Sequence, residues 1–177
     1  SNRRKIEKRF KEINKNFFFV NSGFNFRPTD IQSAIGLSQF KSLNNFINIR
    51  KINRNKVIKK LTTDKRWNDQ VSFVKKDHNV KPSWFGLSML INKKFKQSKN
   101  LIFNRLDKLG IENRPIISGN FLKQPALRKH NIRQKSKDFP NANYIHEYGL
   151  HVGLENKIMS RIEIEKFVNI FFKSFDF

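Results

Sequence analysis

The sequence predicts an α/β fold in which a long helix precedes a small mixed domain. Apolar residues recur at helical spacing from Ile31 to Leu61, with no proline inside this stretch. Residues 84–117 pass from an apolar run of strand length to a helical pattern that stops at a glycine, and then to a second strand. A last amphipathic helix opens at Ser160, where Ser and the Glu three positions later form a capping box.

The long helix has a clear predicted start. Thr29 and Gln32 form a capping-box signature, with Asp30 in the first turn, where a negative charge suits the helix dipole. We expect this helix to be bent and to bridge subdomains or pack against a second subunit, because one small core cannot cover it. The predicted division is therefore an N-terminal segment with the long helix at 1–61, and a small domain at 62–177.

The remaining elements follow from shorter patterns. Apolar spacings of four and three within residues 1–16 predict a short basic helix, and the FFFV after it is either a short strand or a buried entry segment. Ser98 is the expected cap of the helix that ends before Gly110. Other predicted elements are a strand at 71–74, strands at 84–91 and 111–117, a helix at 141–148 and a strand at 149–154.

The chain is strongly basic. Its 37 Lys and Arg against 14 Asp and Glu give a formal net charge of +23, and such a field attracts phosphate polymers. A basic nucleic-acid-binding module is therefore one hypothesis. The basic residues are scattered along the chain, however, and the sequence has no RNP-type motif, no Cys/His finger spacing and no helix-turn-helix. We expect no specific nucleic-acid partner.

Composition also limits the compartment and the chemistry. The sequence has no cysteine, which excludes disulfides and thiolate metal ligands. It has no apolar run near the roughly 18 to 20 residues that span a bilayer, so we expect a cytoplasmic protein without a membrane partner. The chain opens without Met, inside charged helical-looking sequence, and we expect the natural polypeptide to begin earlier.

Two segments hold candidate binding residues. Asn25 and Arg27 precede the start of the long helix, where free backbone N–H groups favour an anion; a local turn with a solvated Arg fits the same residues. A strand end and the polar loop after it contain Arg114, Asn120 and Gln124, which are suited to the hydroxyls and phosphates of a sugar nucleotide. The alternative is a surface loop with one buried salt bridge.

Histidine chemistry offers one further candidate. His151 lies inside a predicted strand, where it is either a functional residue at a strand end or an ordinary core histidine. The sequence has no HExxH or other two-ligand helix spacing, no nucleophile elbow and no glycine-rich phosphate loop. We therefore expect no metal site and assign no catalytic residue.

Three blocks, FNFRPTDIQSAIGLSQF, RPIISGNFLKQPAL and FPNANYIHEYGLHVG, resemble in order and spacing the C-terminal half of the DegT/StrS-type PLP-dependent nucleotide-sugar aminotransferases and dehydratases. The similarity covers about residues 17–175. The block with Arg-Pro-Ile, Gly-Asn and Gln-Pro is similar to the branch that acts on 4-keto-6-deoxy sugars. The resemblance implies the long helix and small C-terminal α/β domain of a fold-type I PLP-dependent transferase.

The resemblance also implies roles for single residues. It implies that Asn25 reaches the cofactor phosphate of a neighbouring subunit, so that a dimer is part of the active site. It further implies a nucleotide-sugar pocket lined or flanked by the five other candidates, which are Arg27, Arg114, Asn120, Gln124 and His151.

The cofactor implied is pyridoxal 5'-phosphate or pyridoxamine 5'-phosphate, held mainly by a large domain absent from this chain. That domain carries the Schiff-base Lys, or the His that replaces it in dehydratases, so the choice between amination and dehydration stays open. We expect a C-terminal part in O-antigen sugar biosynthesis, inactive alone and completed by a homodimer or by a partner chain with the large PLP domain. An inactive remnant or scaffold is the third hypothesis. Pro28 and the Val-Gly-Leu-Glu after His151 depart from the family's usual pattern.

Overall fold

The computed structural model describes residues 2–11, 13–24, 26–95 and 99–176. Ser98, the predicted helix cap, lies outside these ranges. The helices are α1 (Asn2–Glu7), α2 (Asp30–Phe40), α3 (Leu43–Thr62), α4 (Lys99–Lys108), α5 (Pro140–Tyr148) and α6 (Arg161–Phe175). The strands are β1 (Val71–Phe73), β2 (Gly86–Ile91), β3 (Asn113–Arg114) and β4 (Gly149–Gly153).

Contacts divide the chain into two compact units. The first unit comprises Ser1–Phe26 and Pro115–Gly149, and the second comprises Arg27–Arg114 and Leu150–Phe177. The boundary predicted between residues 61 and 62 is drawn where the long helix ends and the small domain begins. It stays a prediction.

The second unit is built around the sheet. Its strand order is β1-β2-β4-β3, and both β1 with β2 and β3 with β4 pair antiparallel. Helix α6 packs on α3 and α4, and its buried side chains close the core; they are Ile164, Val168, Phe171, Phe172 and Phe175. The capping box predicted at Ser160 is confirmed, with Glu163 N–H donating to the Ser160 hydroxyl.

The strand predicted at 111–117 is mostly wrong, because β3 holds only Asn113 and Arg114. Pro115 has no N–H to donate to a ladder, and Ile117 has a φ of 48°, which is incompatible with a strand. The helix before it ends as predicted, since Gly110 takes a φ of 86° just after α4.

The predicted long helix is two helices. The helix is interrupted at Lys41 and Ser42, where the Ser42 N–H donates to the Gln39 carbonyl in a tight turn. Helix α2 starts with the predicted capping box at Thr29 and buries none of its residues. Helix α3 instead buries one side, with Asn53, Val57 and Leu61 packed inside.

The apolar side chains of α2 face water. Ile31 is 76% exposed, Leu37 71% and Phe40 70%. A helix with this much exposed apolar surface fits the expectation that something outside the described chain covers it.

The first unit corrects the N-terminal prediction. Helix α1 ends at Glu7, and the expected apolar stripe continues in a turn and a short 3-10 helix at Lys15–Phe17. Asn14 starts that 3-10 helix by accepting the Asn16 N–H with its side chain, which competes with a continuous α-helix. The buried cluster is made by Phe10, Ile13 and Phe18, so FFFV is not a strand and contributes Phe18 to the core, while Phe19 is exposed.

Candidate functional site

The second unit contains a cavity of about 540 Å³ beside the β3–β4 pair. Its walls come from the segment that ends in β3, from β4 and the loop after it, and from α3 and α6. Arg114 and His151 both line it. Because these two residues are paired directly across the two strands, the sheet register brings both predicted site residues to one wall.

Phe85 joins Arg114 and His151 into one cluster. The Arg114 guanidinium carbon lies 4.9 Å from the centroid of the Phe85 ring. The His151 ring stacks on the same Phe, with centroids 5.9 Å apart and planes 15° from parallel. Phe85 is nevertheless 59% exposed, because β2 begins one residue later, at Gly86. An exposed aromatic face beside a permanent cation is a surface that ligands use.

Burial favours the neutral form of His151. It is 8% exposed, and burial followed by the nearby Arg114 charge lowers its pKa below the ordinary 6.5. Its Nδ1 lies 2.9 Å from the Ser88 hydroxyl oxygen, and its buried Nε2 has no hydrogen-bond partner within the described ranges. Ser88 therefore orients the ring through Nδ1, while Nε2 makes no hydrogen bond to a described residue.

Gly86 is required for this arrangement. A Cβ on Gly86 would lie 2.4 Å from both His151 Nε2 and the Val152 carbonyl oxygen. Only glycine allows the β2 backbone to come this close to the imidazole.

Arg50 is a second cation at Phe85, and it was not among the residues predicted from the sequence. Its guanidinium carbon lies 5.4 Å from the ring centroid, and its Nε donates to Asn156 Oδ1 at 3.1 Å. Arg54, one turn later on α3, stacks on Trp84 at 3.8 Å. The available signal was the pair of arginines at i and i+4 on one helix, matching two consecutive aromatics.

Asn120 and Gln124 lie in the first unit, in a different environment. Asn120 is 2% exposed, accepts the Leu122 N–H and donates to Asn143 Oδ1 at 2.8 Å. Gln124 is 1% exposed, accepts the Phe19 N–H at 3.1 Å and donates to the Phe17 carbonyl at 2.9 Å. Their amides are engaged inside the chain, and their binding roles stay predictions.

The remaining two candidates are near the start of α2. Arg27 is exposed, and Asn25, predicted to contact a cofactor phosphate, lies outside the described residues. Thr29 occupies the helix start, where its hydroxyl accepts the Gln32 N–H. Both roles stay predictions.

The described residues of the cavity lining provide neither a metal site nor a lysine for PLP. Across residues 2–11, 13–24, 26–95 and 99–176, no cluster of three His, Asp or Glu could hold a metal ion. A Schiff base to PLP needs a lysine amine, and none of the described residues that line this cavity is a lysine. The described lining alone therefore offers no residue to which PLP could be attached as a Schiff base. In the described part of the chain, no helix has the length and apolar character needed to cross a bilayer.

Comparisons with known proteins agree with this architecture. The chain is 33% identical over 142 residues to the GDP-4-keto-6-deoxy-D-mannose 3-dehydratase of Escherichia coli O55:H7, covering 80% of this chain and 35% of that protein. A solved E. coli GDP-4-keto-6-deoxy-D-mannose-3-dehydratase with bound hydrated PLP is similar in structure. Its TM-score is 0.62 at 29% identity, over 92% of this chain and 39% of that one.

A third relative is a solved mutant of GDP-4-keto-6-deoxymannose-3-dehydratase (ColD) with bound GDP-perosamine, with a TM-score of 0.63 and 29% identity over 92% of this chain and 39% of that one. This chain thus spans little more than a third of the length of these relatives. The predicted fold class, α/β with the small C-terminal domain of a PLP-dependent transferase, is confirmed, although the long helix predicted before that domain is two helices. The model of the DegT/DnrJ/EryC1/StrS aminotransferase family matches residues 2–171, and the chain belongs to this family.

Proposed function

We propose that this chain supplies the C-terminal part of a PLP- or PMP-dependent nucleotide-sugar enzyme of cell-surface polysaccharide biosynthesis. The enzyme is either a 4-keto-6-deoxy-sugar 3-dehydratase or an aminotransferase. The observation that carries the proposal is the cluster of Arg114, His151 and Phe85 on the wall of the cavity, in a chain of this family. The curated relative is a dehydratase of a GDP-linked keto sugar, which supports a nucleotide sugar as the ligand.

Each residue of the cluster has a task in such a site. The Arg114 guanidinium attracts an anionic group and offers it planar, paired N–H donors. His151, kept neutral by burial, does not add a second charge and is held by Ser88 through Nδ1. The exposed face of Phe85 excludes water from one side of a bound ring. These residues bind and orient, and none of them needs to transfer a proton.

The cofactor and its attachment belong to the proposal as contributions from outside the chain. PLP supplies an electron sink for bond breaking beside an amino or keto carbon. The exposed apolar residues of α2 support a large domain or a second subunit packed on that helix. We infer the homodimer, or the partner chain with the large domain, from this surface together with the family.

A ligand titration tests the proposal. The chain, labelled with 15N, is titrated with GDP-mannose in 0.15 M salt, and Arg114→Ala is compared with Arg133→Ala, which removes an equal charge from an exposed site. We expect shifts at Arg114 and His151 in the wild-type chain, and a loss of affinity of about tenfold in Arg114→Ala only, equal to about 1.4 kcal/mol.

Two other outcomes would count against the proposal. An equal loss of affinity in both variants would show that GDP-mannose binding depends only on the net charge of the chain. No binding by the wild-type chain, with an oligonucleotide bound tightly and selectively at the same salt concentration, would favour the nucleic-acid hypothesis.

A further inference from the structure

Asn53 is a fully buried polar residue in the middle of α3. It is 0% exposed, and asparagine is a poor residue for a helix interior. Its Nδ2 donates to the carbonyls of Glu155 and Lys157 at 3.2 and 2.8 Å, and its Oδ1 accepts the Met159 N–H at 2.9 Å. One side chain thus ties three backbone groups of a single loop to the helix.

That loop is part of the cavity. Leu154, Glu155, Asn156 and Met159 all line it, on the side next to His151. The loop has no helix or strand of its own between β4 and α6, so its conformation depends on such contacts. The hydrogen bonds of Asn53 therefore determine the shape of one wall of the candidate site.

The same loop accepts a hydrogen bond from Arg50. Asn156 Oδ1 accepts from Arg50 Nε at 3.1 Å, while the guanidinium carbon lies 5.4 Å from the Phe85 centroid. This bond uses Nε and leaves the terminal nitrogens without a hydrogen bond to any described residue. Since Arg114 is also near Phe85, two guanidinium groups share one aromatic ring, an arrangement that an anion between them would stabilise.

We propose that Asn53 is a positioning residue of this site. It fixes the loop at 154–159 against α3, and the loop in turn places Asn156 so that it orients the Arg50 guanidinium beside Phe85. The ligand bound by that guanidinium is the anionic part of a nucleotide sugar, a step that rests on the proposed function. The positioning itself does not depend on any ligand.

The first measurement follows the Arg50 Nε–H signal by NMR without ligand. In Asn53→Ala this signal is expected to shift and to exchange faster with water, although none of the hydrogen bonds of Asn53 among the described residues goes to Arg50. Asn53→Leu keeps the approximate size of the side chain, adds no buried charge and serves if the alanine variant does not fold. Asn55→Ala, an exposed asparagine on the same helix, is the matched control and should leave the signal unchanged.

Asn156→Ala provides an arm that does not disturb the core, because Asn156 is exposed. It should release the Arg50 Nε–H at an unchanged Tm. Affinity for GDP-mannose should fall about fivefold in Asn156→Ala and in the folded Asn53 variant, and remain as in the wild type for Asn55→Ala.

The outcomes separate the two proposals. If a folded Asn53 variant has a lower Tm but an unchanged Arg50 signal, Asn53 is only structural and the inference is wrong. An unchanged signal in Asn156→Ala overturns it as well, and decides alone if neither Asn53 variant folds. If the wild-type chain does not bind GDP-mannose while the Arg50 signal responds as expected, the positioning stands and the proposed function fails.

Discussion

The predicted binding residues on the cavity wall of the second unit differ in their surroundings from those of the first unit. The latter are the buried amides of Asn120 and Gln124, which we call the amide cluster. Arg114 lines the cavity beside an exposed aromatic ring, whereas both amides are hydrogen-bonded inside the chain. Among the described residues His151 Nε2 also lacks a hydrogen-bond partner, but it is buried against Gly86. The contrast supports Arg114, and not the two buried amides, as the residue that the proposed ligand contacts.

The largest expected effect is at Gly86, where the cavity wall tolerates no side chain. Gly86→Ala places a methyl group against the His151 ring and the Val152 carbonyl, and we expect a loss of about 3 kcal/mol in the free energy of unfolding. Urea denaturation measures it. Gly153→Ala is the control, because a Cβ there meets nothing within 4 Å. Equal stability of the two variants would mean that β2 and β4 are not packed as described.

Gln124→Leu tests the amide cluster at the next level of effect. The substitution preserves bulk but leaves the Phe19 N–H and the Phe17 carbonyl without their partner, at a cost of about 2 kcal/mol. Thermal unfolding measures the loss, and GDP-mannose affinity of the folded protein should not change. A variant that kept its Tm but lost affinity for GDP-mannose would show that Gln124 binds the ligand and is not only structural.

Arg114→Lys sharpens the description of the cavity wall. Lysine keeps the charge but lacks the planar guanidinium that faces Phe85, so we expect about fivefold weaker binding of GDP-mannose, near 1 kcal/mol. Isothermal titration calorimetry gives the affinity, and the Tm should stay within experimental error. Binding as tight as in the wild type would show that only the charge matters.

The smallest expected effect is the pH dependence from His151. Its folded-state pKa lies below the ordinary 6.5, so the unfolded chain binds the proton more readily. Its contribution to stability is complete above pH 6.5 and is lost as the pH falls from there through the lowered pKa. Urea unfolding at several pH values should show this slope in the wild type, and a smaller slope in His151→Gln. An identical slope in both proteins would contradict a buried, neutral His151.

Signals that depend on neighbouring residues in the chain predicted the fold well. The capping boxes at Thr29 and Ser160 and the glycine stop at Gly110 were all correct, because their hydrogen bonds and dihedral angles involve residues a few positions apart. The errors came where tertiary packing decides. Residues 1–16 have helical periodicity, yet Phe10 and Ile13 reach their buried cluster through a turn.

The site was predictable only in part for the same reason. Arg114 and His151 were found from the sequence, but their direct pairing depends on a strand register that no local pattern reveals. The strand predicted at 84–91 includes Phe85, whereas in the structure Phe85 is exposed and lies just before β2. Asn53 gave no signal at all, because its three partners lie more than a hundred positions away.

The exposed apolar surface of α2 affects how the newly synthesised polypeptide behaves in the cell. Side chains such as Ile31, Leu37 and Phe40, left in water, promote self-association and attract the cellular machinery that retains unfolded chains. If the proposed large domain or second subunit covers this helix, it would have to be available soon after translation and in matching amounts. Supply of that covering surface, and not the intrinsic folding of the core, would then set how much of the protein accumulates.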